Sequence, residues 1–210
     1  MQRFEQAMRA FRKHRMEQFA AAMGITETTR ILDIGGTPFN WLLLDVRPRV
    51  TLLNMPRAQE PVSEPGFTSV AADGRRLPFR DQSFPIVFSN SVIEHVGTLG
   101  DQAQLAAEIR RVGVRYWVQT PNRWFPVEPH LLTPFLHFLP RAWQGAMARR
   151  WTLWDAVERP SPDRRAFLVE HYLNDIRLLG ASELGRMFPD GRLIRERFLG
   201  LTKSLVMAKL

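Results

Sequence analysis

The sequence predicts an α/β protein built on a doubly wound, mostly parallel sheet. Three observations carry this. Short apolar runs alternate with stretches of helical spacing between residues 30 and 121. The first run, Ile31-Leu32, ends on Asp33 and two glycines, Gly35 and Gly36, as a buried strand does where it turns at the rim of a sheet. The last two runs, 192–198 and 202–209, are separated only by Leu199-Gly200-Leu201, a hairpin spacing.

The elements follow in order. Residues 2–23 have helical periodicity, with Phe4, Ala7, Met8, Phe11 and Phe19 on one side and Arg3, Arg9, Arg12, Lys13 and Arg15 largely on the other. Gly24 ends this first unit, 1–24, which packs on the domain, forms a flap over the pocket or lies as a helix on a membrane surface. Strands are expected at 30–34, 50–54, 67–71, 85–89 and 114–119, and helices at 39–46 and 99–111. The Pro-rich stretch 56–66 reads as a loop. Residues 123–180 break the alternation. They hold Trp124, Trp143, Trp151 and Trp154, and prolines cut them into short helices and turns. So long an interruption predicts an inserted helical cap with aromatic walls, or a satellite hydrophobic cluster. A helix at 181–188 and the two final strands return to the domain, which spans 25–122 and 181–210.

Composition bounds the class. The chain has 210 residues, enough for one sizeable core. No apolar run approaches the length of a membrane span, and MQRFEQAMRAFRKHR lacks the apolar centre of a secretion signal. The absence of Cys excludes disulfides, thiolate zinc sites and cysteine nucleophiles. These features point to the cytoplasm. The net charge of +8 fits either an anionic partner or solvated surface arginines.

Candidate site residues gather at the strand ends. Asp33 can accept hydrogen bonds from a ligand, and Gly35 and Gly36 allow close backbone approach. Asn54 ends the second strand, as ligand contact or turn residue. Asp73 and Gly74 follow the third strand, and Ser89 and Asn90 close the fourth. His95 and His130 stand at rims where either can act as a general base.

The stretch RILDIGGTPFN resembles the first motif of class I S-adenosylmethionine-dependent methyltransferases, acid-x-Gly-x-Gly-x-Gly. Asp33 and Gly35 fall in register, while Thr37 and Phe39 stand where the later glycines belong. Asp73, Leu77-Pro78-Phe79 and Asp81-x-Ser83-Phe84 are similar to the methyltransferase type-11 pattern. The resemblance implies a Rossmann-like seven-stranded sheet with its last strand antiparallel, and S-adenosylmethionine as cofactor. It places Asp33, Gly35 and Gly36 at the methionine end, Asn54 at the ribose in place of the usual acid, Asp73 with Gly74 at the adenine, and Ser89 and Asn90 on the floor. Ubiquinone-type and small-RNA methyltransferases also resemble this region, and some bind a divalent metal through Glu-x-x-Glu-His and a later His. Glu94 and His95 match and His130 stands for the last ligand. Ser91 replaces the first Glu, so no metal is assigned.

The expected activity is methyl transfer to a small-molecule or lipid-like acceptor, more readily on oxygen. An RNA-directed enzyme, a nucleotide-dependent oxidoreductase with a Rossmann sheet and a non-catalytic binding protein are the alternatives; the missing glycine spacing and the antiparallel end speak against the oxidoreductase. No separate RNA-binding module accompanies the basic charge, which weighs against nucleic acid. Trp and Arg in the cap suit a peripheral membrane contact.

Overall fold

The computed structural model describes residues 2–56, 62 and 64–210, with the side chains of the first helix from residue 9 onward. Of the expected loop at 56–66, residues 57–61 and 63 lie outside the described residues, as do the side chains of Arg3, Phe4, Ala7 and Met8.

Seven strands form one sheet in the order β3-β2-β1-β4-β5-β9-β8. They are β1 (Arg30–Ile34), β2 (Arg49–Asn54), β3 (Phe67–Ala71), β4 (Phe84–Asn90), β5 (Gly113–Pro121), β8 (Arg192–Phe198) and β9 (Leu201–Lys209). The first five run parallel, β9 pairs antiparallel with β5, and β8 pairs antiparallel with β9. The expected class and the reversed last strand are both present.

Each central strand is buried on both faces, so each supplies two cores. Leu32, Val87, Val118 and Leu205 pack beneath α3 (Leu99–Val112) and α7 (Ala181–Met187). Ile31, Phe88, Trp117 and Val206 pack beneath α1 (Gln2–Met23) and α2 (Pro38–Trp41), where Phe19 touches the rings of Trp41, Phe88 and Trp117. Alternation along β1 therefore turns Ile31 and Asp33 to one face and Leu32 and Ile34 to the other.

The helix α3 starts cleanly because Thr98 and Asp101 cap each other's backbone. The first crossover differs from expectation. A helix was expected over 39–46, but α2 covers only Pro38–Trp41. Pro38 sets its start, and Pro48, with the bond from Arg47 Nη1 to the Trp41 carbonyl, draws the chain back toward β2 before a second turn can form.

After β5 the chain leaves the sheet. It forms a small hairpin of β6 (Val127–Glu128) and β7 (Thr133–Pro134), then α4 (Arg141–Arg150), α5 (Leu153–Glu158) and α6 (Pro162–Asp175). The hairpin, α4 and α6 share a cluster that includes Leu131, Leu136, Ala148, Val169, Tyr172 and Ile176. Gln102 of α3 ties the segment down, donating to the carbonyls of Ile93 and Arg177 at 2.8 and 2.9 Å. No helix among the described residues is long and apolar enough to cross a membrane.

Candidate active site

A crevice of about 330 Å³ opens beyond the carboxyl ends of β1, β2 and β3. This is where open α/β sheets bind their ligands. Gly35, Asn54, Asp73, Gly74 and His95 line it, with apolar walls from Ile34, Leu53, Val92 and Leu105. Gly35 has φ +72°, and a Cβ there would lie 2.5 Å from Val92 Cγ2, so both conformation and space require glycine. Its N–H donates to the Leu53 carbonyl at 2.7 Å. Asn54 Nδ2 donates to the Gly36 carbonyl at 3.0 Å, which fastens the loop to the end of β2.

Asp73 is held by Arg75, whose Nη2 lies 2.7 Å from Oδ2 and whose backbone N–H reaches Oδ1 at 2.9 Å. These bonds keep its carboxyl below the usual range. Arg75 also reaches Asp101 at 2.8 Å. The sequence reading did not include Arg75, although an arginine two residues after a candidate acid was there to be read.

Asp33 sits outside the crevice. Its carboxylate points to the α1/α2 face, is 1% exposed, and accepts from Trp41 Nε1 at 2.7 Å. It lies directly under Gly36, where a Cβ would stand 1.7 Å from Asp33 Oδ2. Burial pushes its pKa up to about 8, against the opposing Trp41 bond. Between the unfolded value of 3.8 and about 8, only the unfolded chain ionises this group. Stability therefore falls as pH rises through that window and is level above it. Asp33→Asn keeps the acceptor for Trp41 and removes the titration. Its stability, read by urea unfolding, is expected to exceed wild type by a margin that grows progressively from pH 4 to pH 8. A gap independent of pH would refute the assignment.

Ser89 is fully buried with an unpartnered hydroxyl, and Asn90 Oδ1 accepts from Arg15 Nη1 of α1 at 3.0 Å. Arg15 is itself paired with Glu196 at 2.7 Å. Neither Ser89 nor Asn90 lines the crevice among the described residues.

The two histidines come together. Their rings meet edge to face with centroids 5.0 Å apart, His95 on the crevice wall and His130 from the β6–β7 hairpin. Glu128 is 0% exposed and accepts from His130 Nδ1 at 2.7 Å and from the backbone N–H groups of His130 and Leu131. Burial lowers the pKa of His130, but the Glu128 bond and the charges of Glu128 and Glu94 outweigh it, and the net shift is upward. His95 is pushed down to about 4, first by burial and then by the charges of His130 and His171. His171 of α6 reaches His95 Nδ1 at 3.2 Å and is held in turn by Asp175 at 2.8 Å. No local signal marked His171, which lies 76 residues from its partner.

Glu94 is fully buried. Oε2 accepts from Thr120, while Oε1 has no partner, and burial raises its pKa to about 7. Glu94, His95 and His130 each offer a ligand atom, and the three lie within 4.8 Å of one another, a set that can hold a divalent cation.

Residues 24–114 match the family model described as a methyltransferase domain. Over that stretch the chain is similar to methyltransferase domains. A sequence search of curated proteins gave no match. Solved structures resemble the fold at low identity. A SAM-dependent methyltransferase from Aquifex aeolicus has TM-score 0.52 at 10% identity, covering 92% of this chain and 87% of that one. Magnesium protoporphyrin IX methyltransferase from Synechocystis, with bound SAH, has TM-score 0.52 at 10% identity, covering 93% and 81%. A structure described as a putative Zn-dependent alcohol dehydrogenase from Rhodobacter sphaeroides has TM-score 0.57 at 9% identity, covering 92% and 87%. At such identities the likeness is one of fold.

Proposed function

We propose that this methyltransferase methylates an oxygen of a small-molecule or lipid-like acceptor, with His130 as general base. The observation that carries this is the Glu128–His130 pair beside His95 on the crevice wall. Glu128 accepts from His130 Nδ1, so Nε2 keeps its lone pair for a proton. A hydroxyl acceptor needs such a base, whereas a neutral amine does not. S-adenosylmethionine, bound in the crevice, would supply an electrophilic methyl group. His130 Nε2 takes the hydroxyl proton as the new carbon–oxygen bond forms, and the buried Glu128 carboxylate stabilises the resulting imidazolium. His95 lies between the crevice and His130. The test is turnover with labelled cofactor on matched hydroxyl and amine acceptors. Methylation of the amines alone would exclude the reading.

For the cofactor, the proposed contacts are Gly35 and Gly36 through backbone, Asn54 at the ribose, and Asp73 with Gly74 at the adenine. Asp33 supports the loop from beneath, and Ser89 and Asn90 stiffen the floor. Asp73→Ala is expected to weaken S-adenosylhomocysteine binding about tenfold by calorimetry. Stability should change by less than about 1 kcal/mol, because the Asp73–Arg75 pair is partly exposed. Unchanged affinity would remove Asp73 from the site.

The unpartnered Glu94 Oε1 favours a second reading. Glu94, His95 and His130 would hold a divalent cation, with Glu128 and His171 orienting the two imidazoles. Such an ion would supply Lewis acidity at the acceptor oxygen.

A further inference from the structure

The stretch from Arg123 to Trp151 presents an unusual surface. Trp124 is 65% exposed, Phe135 60%, Phe138 43% and Trp143 67%. Three of these rings form one patch: Trp124 stacks on Phe138 with centroids 6.1 Å apart, and Phe135 lies 6.4 Å from Phe138. The Arg123 guanidinium sits 5.3 Å over the Trp124 ring. Trp143 follows one turn later, at the start of α4, its N–H bonded to the Pro140 carbonyl. These aromatic side chains are spent neither on the core of the segment nor on the crevice.

Charge decides what the patch can face. Between residues 123 and 151 the cations are Arg123, Arg141, Arg149 and Arg150, and the only acid is Glu128. Glu128 is 0% exposed and committed to His130, so it contributes no negative charge to the surface. The fold brings Glu183 to Arg123 and Glu170 to Arg149, each at 2.9 Å, and Arg141 and Arg150 remain as exposed cations without a carboxylate partner among the described residues. Exposed tryptophans beside this surplus of arginine match the headgroup layer of an anionic bilayer. There indole rings enter the interface while guanidinium groups meet lipid phosphates. Nucleic acid is also anionic, but stacking on bases calls for rings along a charged groove. Here the rings lie on the outside of a short hairpin and helix.

We propose that this Trp124–Phe135–Phe138–Trp143 surface docks the protein on anionic phospholipid membranes. The docking does not depend on which acceptor is methylated. The full chain would be sedimented with vesicles of phosphatidylcholine alone and with vesicles containing a quarter phosphatidylglycerol. Binding is expected only to the anionic vesicles, weakened by added salt and accompanied by a blue shift of tryptophan emission. The double variant Trp124→Ser, Phe138→Ser is expected to bind at least about tenfold more weakly. Trp143→Ser alone should show a smaller loss. All should retain wild-type melting temperature and S-adenosylhomocysteine affinity, which separates surface from fold and from active site. Absence of binding to anionic vesicles, or binding untouched by the ring substitutions, overturns the proposal. Binding of single-stranded polyuridine that depends on the same rings, without vesicle binding, overturns it in favour of a nucleic-acid surface.

Discussion

Gly36→Ala is expected to destabilise the fold by about 2–4 kcal/mol and to abolish measurable S-adenosylhomocysteine binding. The added Cβ would lie 1.7 Å from Asp33 Oδ2 and 2.0 Å from Cγ, closer than atoms can approach. Asp33 cannot swing aside cheaply, since it is buried and its departure would strand the Trp41 indole N–H. The loop must lift instead. That strains the Gly35–Leu53 bond and the Asn54–Gly36 bond, which shape the crevice rim. Stability and binding should therefore fail together. Combining the change with Asp33→Ala should recover more than half of the lost stability, because the colliding group is gone. Urea unfolding and calorimetry on the four proteins of this cycle decide the matter. Additive losses would show that the two residues do not collide.

His130→Gln is expected to lower kcat by about a hundredfold to ten-thousandfold, with cofactor affinity unchanged. Glu128→Gln should lower kcat in the same direction but less, because Gln keeps one acceptor for the backbone N–H groups and loses the charge that supports the imidazolium. Glu94→Gln separates the two readings of this cluster. If His130 acts as a base, this variant keeps kcat within a few-fold. If a cation sits among Glu94, His95 and His130, kcat falls at least about a hundredfold, and activity of wild type disappears on chelation and returns with a divalent metal. Full activity of His130→Gln after chelation would leave the cluster without a role in turnover.

How much was legible in the sequence varies with the range of the interaction. The strands themselves follow from local runs, the reversed last strand from the family resemblance, and the crevice residues Gly35, Asn54, Asp73 and Gly74 each sit at or just beyond the end of a strand. Asp33 shows where such reasoning stops. Its position at the end of β1 is what a ligand-binding acid would have, but strand alternation and Trp41, eight residues on, decide which way it points. The meeting of His95 with His130 has no local pattern behind it and was suggested only by the resemblance to metal-binding methyltransferases. It needs the β6–β7 hairpin to fold back over the rim. The α6 histidine that braces His95 comes from farther still, and its sequence context is that of an ordinary amphipathic helix. The short α2 was visible only as a crowded interval before Pro48.

The last position in the sheet order belongs to β8, whose outer edge pairs with no further strand among the described residues. Arg192, Arg195 and Arg197 are exposed along it, and the register slips between Glu196 and Arg197. A second copy adding its own β8 would have to bring like charges together across a kinked ladder. Such a border discourages open-ended stacking of sheets into aggregates, so a basic chain with a nearly continuous apolar interior can end its sheet here without inviting another.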